Sequence, residues 1–326
     1  MACGALAMQA AGIEIDKYIA YEVDKYAIQT AQHNFPFIEE RGDVFKADFT
    51  EYAGFDYLIG GSPCTYWSIA QTKNRETVAS GMGWELFSQY VRALHEAKPR
   101  FFLYENNKSM SAAIRASITE TFGFEPIMIN SALVSAQNRQ RLYWCGIRQA
   151  DGTYKKADIQ QPADRGILLK DILETNAQFN VMNKELKSVE NKDAGVVGML
   201  DMAGQEQIKR VYGTNGKCAT LTTCQGGHRE PKVFEKIVEP LRENEATKDV
   251  PIYEVKDGYI TVKGKQYPIK LVDGFYVIRK LTVRECMRLQ TVPEWYEWPV
   301  SKSQAYKMLG NGWTVEVIAH LLRGLK

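Results

Sequence analysis

Residues 55–68 read FDYLIGGSPCTYWS, and this stretch decides the fold. Phe55 to Ile59 is apolar except for Asp56 and closes on Gly60-Gly61, a composition that suits a buried strand of a parallel sheet. In open α/β sheets, reactive groups gather at the carboxyl ends of strands. Cys64 stands at such an end, behind Pro63, whose ring fixes the backbone. That placement suits a nucleophile. A free thiol, with a pKa of about 8.5, still needs help to ionise near neutral pH. A buried cysteine in a tight turn has the same local sequence, so its neighbours must decide.

Outward from this strand, helical and extended patterns alternate. Residues 5–11 (ALAMQAA) predict a helix stopped by Gly12, residues 17–23 (KYIAYEV) a strand, and residues 24–33 a helix. Downstream, Trp84, Phe87, Val91 and Leu94 share a helical face that Pro99 closes. RFFLYEN (100–106) predicts a strand, 109–122 a helix, and EPIMIN (125–130) and RLYWCGI (141–147) two more strands. Such alternation indicates βαβ units and a parallel sheet. Past residue 148 the texture changes. Residues 150–250 are rich in Lys, Glu, Asn, Thr and Gly, and Asp257-Gly258 and Asp273-Gly274 are hairpin signals between the β-rich runs of 251–278. From Leu281 helices return: Thr282 to Glu285 is a capping box, 303–309 a helix stopped by Gly310, and 314–322 another helix. The expected architecture is one α/β domain from 1–147 and 279–326, with a smaller β-rich insertion at 148–278.

Composition bounds the function. At about 150 residues per domain, 326 residues suggest two domains. With 45% hydrophobic and 25% charged residues, the chain is neither disordered nor collagen-like. The net charge of +2 excludes a histone-like protein but permits one local basic face. The sequence has no run near ~18 apolar residues and no signal-peptide pattern, so neither a membrane span nor secretion is expected. Six cysteines form no C-x-x-C pair and four histidines no H-x₃₋₅-H spacing, so no metal site is expected.

Cys64 has suggestive company. Glu105, in Tyr104-Glu105-Asn106, closes a second apolar strand and is expected at the same sheet edge. Arg139 and Arg141 lead into the strand LYWCGI, and alternate positions of an extended segment point one way. A thiol nucleophile, a strand-end carboxylic acid and a pair of guanidinium groups together describe one reaction well.

In order, GGSPCTYWS (60–68), YENNKSM (104–110), SAQNRQRLYW (135–144), RKLTVRECMRLQTVP (279–293) and SQAYKMLGNGW (303–313) resemble the successive motifs of the DNA cytosine-5 methyltransferases. The SPC triplet is similar to that of the de novo-type branch, and the compact chain to the bacterial and phage members. The resemblance implies a Rossmann-like S-adenosylmethionine-dependent methyltransferase domain, with a target recognition domain at 148–278. It implies Cys64 as the covalent nucleophile, Pro63 as its fixed neighbour, and Glu105 as the group that hydrogen-bonds and protonates cytosine N3. Asn106 would hold the nucleophile's loop. Arg139 and Arg141 would serve the cytosine carbonyl, Glu105 and nearby phosphate. Because carbon 5 is unreachable within a stacked duplex, the base must flip out, at a cost of a few kcal/mol.

For S-adenosylmethionine the resemblance implies Glu22 on the ribose hydroxyls, Asp43 on the adenine amino group, Val23 and Val44 as apolar walls, and Asn311, Trp313 and Gly4 as further pocket residues. The family's opening motif, F-x-G-x-G after a strand, aligns only at its end with Met1-Ala2-Cys3-Gly4, so a weakened hold on the cofactor is expected. Within 204–227, similar to the segment that enters the major groove, Gln207, Arg210 and Thr220 are candidate DNA contacts, joined by Ser68 and Arg229. The implied partner is duplex DNA bearing a specific cytosine, with a cognate restriction endonuclease as an optional second partner. The implied setting is a monomer in the cytoplasm of a bacterium or a phage-infected cell. Two alternatives stay open: an RNA cytosine-5 methyltransferase on the same scaffold, and a catalytically impaired DNA-binding relative.

Overall fold

The computed structural model describes residues 1–69, 73–175, 180–190, 195–224, 226–237 and 249–326, and these fall into two units. The first comprises Met1–Asn130, Gln140–Ala163 and Val315–Lys326. It opens with α1 (Cys3–Ala10), followed by β1 (Tyr18–Ala20), α2 (Lys25–Asn34) and β2 (Ile38–Glu40). β1 is shorter than the run of 17–23 suggests. The Glu22 carboxylate folds back to accept from the amides of Val23 at 2.8 Å and Asp24 at 2.9 Å, and those donors are lost to any longer ladder. Asp24 then caps α2 by accepting from Tyr26 N at 2.9 Å.

Next come β3 (Tyr57–Gly60), α3 (Met82–Ala97), β4 (Phe101–Asn107), α4 (Ala112–Phe122) and β5 (Ile127–Asn130). α3 ends where Lys98 turns left-handed directly before Pro99, whose ring disfavours helix at the preceding residue. β6 (Gln137–Asn138) belongs to the second unit, while β7 (Gln140–Arg148) and β8 (Tyr154–Lys156) return to the first. β3 and β4 pair in parallel; β7 pairs antiparallel with both β4 and β5. β3, β4 and β5 therefore share one direction, and β7 is reversed between the last two. The alternation of helices and strands suggests a parallel sheet; the sheet is mixed, mostly parallel in direction, because β7 runs back between β4 and β5. Every residue of β4 is buried, which makes it the spine of a core of Phe87, Tyr90, Phe102, Tyr104, Phe122 and Trp144. The C-terminal helix, Val315–Leu325, packs on α1.

The second unit, Ser131–Arg139 with Asp164–Thr314, is β-rich. It holds β9 (Leu186–Val189), β10 (Val196–Leu200), the short α5 (Glu206–Lys209), β11 (Arg210–Gly213), β12 (Cys218–Ala219) and β13 (Lys232–Ile237). β14 (Tyr253–Lys256), β15 (Tyr259–Val262), β16 (Lys265–Pro268) and β17 (Gly274–Lys280) follow, then α6 (Val283–Leu289) and α7 (Lys302–Asn311). One sheet has the order β16-β15-β14-β17-β13-β11-β10-β9, and β12 pairs with β6. Asp257-Gly258 makes the expected hairpin between β14 and β15, with φ of 51° and 76°. Asp273-Gly274 does not make a hairpin: Gly274 opens β17, which pairs with β13 and β14. The second hairpin turns on Lys263-Gly264, with φ of 49° and 76°. A left-handed lysine is uncommon, so the sequence carries no strong turn signal there. Among the described residues, no helix is long and apolar enough to cross a membrane.

Lys232 on β13 is buried, and its Nζ donates to the Glu230 carbonyl at 2.9 Å and to the His228 carbonyl. Burial pushes its ammonium from 10.5 down to about 8, against the pull of Glu230. A lysine with a depressed folded-state pKa holds fewer protons folded than unfolded between those values, so stability rises with pH across that window. Lys232→Met should be more stable than the parent below pH 8, by up to about 3 kcal/mol. The advantage should shrink as pH climbs from 8 to 10.5, which thermal melts across that range will read.

Candidate active site

Two neighbouring strand ends build the site. Beyond β3, the backbone at Gly61 lies so close to β4 that a Cβ there would sit 2.5 Å from the Glu105 carbonyl oxygen and 3.3 Å from its Oε2. A side chain at position 61 would thus push the loop off Glu105. Three residues on, Cys64 opens a single 3₁₀ turn through Tyr66. The Cys64 side chain lies outside the described residues. Pro63 is exposed, and Ser68 is half-buried further along the same loop.

Glu105 is 7% exposed and meets Arg141, with Nε 3.0 Å from Oε1. Burial of both groups strengthens this charge-assisted bond and fixes the carboxyl group's orientation. Asn106, fully buried, donates from Nδ2 to the Ser62 carbonyl at 3.1 Å and so grips the loop two residues before Cys64. Two residues that the sequence does not single out join it. The Tyr104 hydroxyl and Ser62 Oγ are 2.7 Å apart, and burial raises the phenol's pKa above its ordinary value. A tyrosine inside an otherwise apolar strand needs a partner for its hydroxyl, and that need was the available signal.

Arg139 has different surroundings. It is 3% exposed and donates to the carbonyls of Leu221 at 3.1 Å, Gly310 at 3.1 Å and Gly312 at 2.8 Å. Within the second unit, its guanidinium ties the segment after β12 to the turn that ends α7. Asn311 in that turn is exposed and Trp313 half-buried.

Carboxylates gather at the ends of β1 and β2. Glu22 folds over the start of α2 as described, and Glu40 closes β2. Burial raises the Glu40 carboxyl's pKa above the usual range; the N-terminal amine opposes that shift and Glu22 adds to it. Among the described residues, Glu40 Oε2 is buried without a hydrogen-bond partner. Val23 beside them is 74% exposed, which is unusual for so apolar a side chain. Asp43 is half-buried and accepts from Phe45 N at 3.0 Å, with Val44 half-buried next to it. Orphaned carboxylate oxygen and bare apolar surface in one place fit a nucleoside, which offers hydroxyl donors and a flat ring. Gly4, by contrast, answers to packing: a Cβ there would meet Ile59 Cδ1 and Tyr18 Oη, each at 2.4 Å.

Apart from Ser68, which lies in the first unit, the candidate DNA contacts belong to the second unit. Gln207 is exposed on α5, and Arg210 Nη2 pairs with Glu206 Oε1 at 2.9 Å. Thr220 Oγ1 donates to the Asn138 carbonyl at 2.6 Å, and Arg229 is exposed beyond Gly226 and Gly227.

A model of the C-5 cytosine-specific DNA methylases matches residues 2–326. The chain belongs to this family. It is 26% identical to the orphan methyltransferase M.SPBetaI of Bacillus phage SPbeta, over 98% of this chain and 94% of that one. It is 27% identical to the type II methyltransferase M1.ScrFI of Lactococcus lactis subsp. cremoris, over 94% of this chain and 70% of that one. Among solved structures, the Dnmt2 methyltransferase of S. pombe aligns with a TM-score of 0.63 at 16% identity, covering 99% of this chain and 94% of that one. The Dnmt2 of Spodoptera frugiperda aligns with a TM-score of 0.62 at 16% identity, covering 99% and 96%. At such identity the likeness speaks for the methylase fold, whose α/β core is the one described above.

Proposed function

We propose that this methylase transfers a methyl group from S-adenosylmethionine to carbon 5 of a flipped-out cytosine in duplex DNA, with Cys64 as covalent nucleophile. The observation that carries the reading is the seating of the SPC loop against Glu105, itself fixed by Arg141 at 3.0 Å. Carbon 5 of cytosine is a poor nucleophile. Addition of the Cys64 thiolate to carbon 6 turns the ring into an enamine, while Glu105 delivers a proton to N3 and relieves the charge that would build there. Arg141 keeps the acid aimed, and Asn106 keeps the loop in place. S-adenosylmethionine, when bound, supplies an electrophilic methyl group. Carbon 5 would take that methyl and leave the donor as a neutral thioether; loss of the carbon-5 proton to solvent then expels the Cys64 thiolate, and the N3 proton returns to Glu105 as the aromatic ring is restored.

Glu22, Val23, Asp43 and Val44 would hold the donor's nucleoside, with Asn311 and Trp313 assigned to the same pocket by resemblance. Residues 148–278 would read the DNA, with Gln207, Arg210, Thr220 and Arg229 as contacts and Arg229 suited to phosphate. Phage and bacterial relatives support action in a bacterial or phage-infected cell. The test uses methyl-labelled S-adenosylmethionine with mixed-sequence duplex DNA or RNA. Label recovered as 5-methylcytosine in DNA supports the proposal. Label confined to RNA, or none at all, overturns it.

A further inference from the structure

The loop that carries Cys64 is stitched down a second time, well past the nucleophile. Trp67, fully buried in the core of the first unit, donates from Nε1 to Glu76 Oε2 at 2.9 Å. Glu76 N donates back to the Tyr66 carbonyl at 2.9 Å. Both Glu76 carboxylate oxygens accept from Gly83 N, at 3.1 Å each. α3 has no side-chain cap from its own N-cap residue, Gly81, so the Glu76 carboxylate reaches in to cap it. Gly81 and Gly83 make room: a Cβ at either would lie 2.5 Å from a Glu76 carboxylate oxygen.

Arg75 takes the other side. Its Nε donates to the Trp67 carbonyl at 3.1 Å and its Nη2 to the Ser109 carbonyl at 2.7 Å. Ser109 Oγ donates to Asn107 Oδ1 at 2.7 Å, and Asn107 N to Asn106 Oδ1 at 2.8 Å. Asn106 in turn holds the Ser62 carbonyl. A closed circuit of hydrogen bonds therefore runs from Ser62 through the end of β4 to Ser109, across Arg75 to Trp67, and back along the turn that contains Cys64.

We propose that Arg75 and Glu76 are positioning residues for the reaction: they fix the backbone of Cys64–Trp67 against the strand that carries Glu105. Neither side chain touches the cytosine in this account. A guanidinium fork suits the task because it spans two carbonyls at once, which one ammonium does not do with the same geometry. The proposal rests on the methyl-transfer reading above, and its test separates the two. In single-turnover methylation of duplex DNA, Arg75→Ala should lower the rate of bound complex by roughly 10- to 100-fold, the scale of a misplaced reacting group. DNA affinity and melting midpoint should stay close to the parent's, and Arg75→Lys should not restore the rate. Lost DNA affinity with an intact rate, or full rescue by Arg75→Lys, would overturn the proposal by making Arg75 a phosphate contact. Hydrogen exchange on the DNA-free protein is the second arm. Faster exchange at residues 66–69 in Arg75→Ala supports the clamp, and unchanged exchange overturns it. If the parent itself methylates nothing, the methyl-transfer reading fails, and the exchange arm still decides the clamp.

Discussion

Glu105→Gln is expected to lower methyl transfer to duplex DNA by roughly 10²- to 10⁴-fold, the usual contribution of a positioned general acid. The amide keeps the shape of the side chain but has no acidic proton to place on N3, so thiolate addition would have to build negative charge on the ring. Binding of DNA and of S-adenosylmethionine should survive, because neither depends on that proton. Arg141 loses its charge partner at 3.0 Å, so the melting midpoint must be followed alongside the rate. A variant that folds and binds yet keeps a rate within about tenfold of the parent would remove Glu105 from the chemistry.

The largest effect on stability is expected in the second unit, at Arg279. Its guanidinium is fully buried and donates to Glu285 at 2.8 and 2.7 Å, and also to Glu235. Glu285 is equally buried; it accepts from the amides of Thr282 and Glu174, both at 2.8 Å, and so completes the capping box of α6. Burial alone would lower the arginine's pKa, but the two carboxylates hold it above its ordinary value. Glu285→Ala leaves a buried cation short of its better partner and removes a helix cap. A loss of about 3–5 kcal/mol is expected, seen as a drop of roughly 10 °C in melting midpoint. Replacing both members together, Arg279→Met with Glu285→Leu, should recover part of the loss, since no charge is then left unpaired. If the single variant melts like the parent, the network is decoration.

The α/β core was legible because its strands are unbroken apolar runs ending in chemistry-bearing residues. Phe101 to Tyr104 could only be a buried strand, and β4 runs on through Glu105 and Asn106 to Asn107, so the carboxylate falls within the last three residues of the strand. What stayed hidden depends on partners distant in the chain. Alternation on an extended segment puts Arg139 and Arg141 on one face, but the chain leaves β6 at Asn138 and enters β7 at Gln140. Arg139 falls at that change of strand, and its donors go to carbonyls far along the sequence. Lys263 shows the same limit on a smaller scale, since a lysine held left-handed announces no turn. The grip of Arg75 and Glu76 on the nucleophile's loop is likewise invisible, because nothing in NRET marks which carbonyls its side chains will meet.

The most direct measurement is a covalent trap. Duplex DNA carrying 5-fluorocytosine has no carbon-5 proton to lose, so an enzyme that adds through sulfur and then methylates cannot release it. The protein is incubated with this DNA and S-adenosylmethionine, digested, and the DNA-linked peptide is sequenced by mass spectrometry. The expected result is one adduct on the peptide from the SPC loop, carried by Cys64 and absent from Cys64→Ala. Methylation of ordinary duplex DNA without any adduct, or an adduct on another cysteine, would contradict the account.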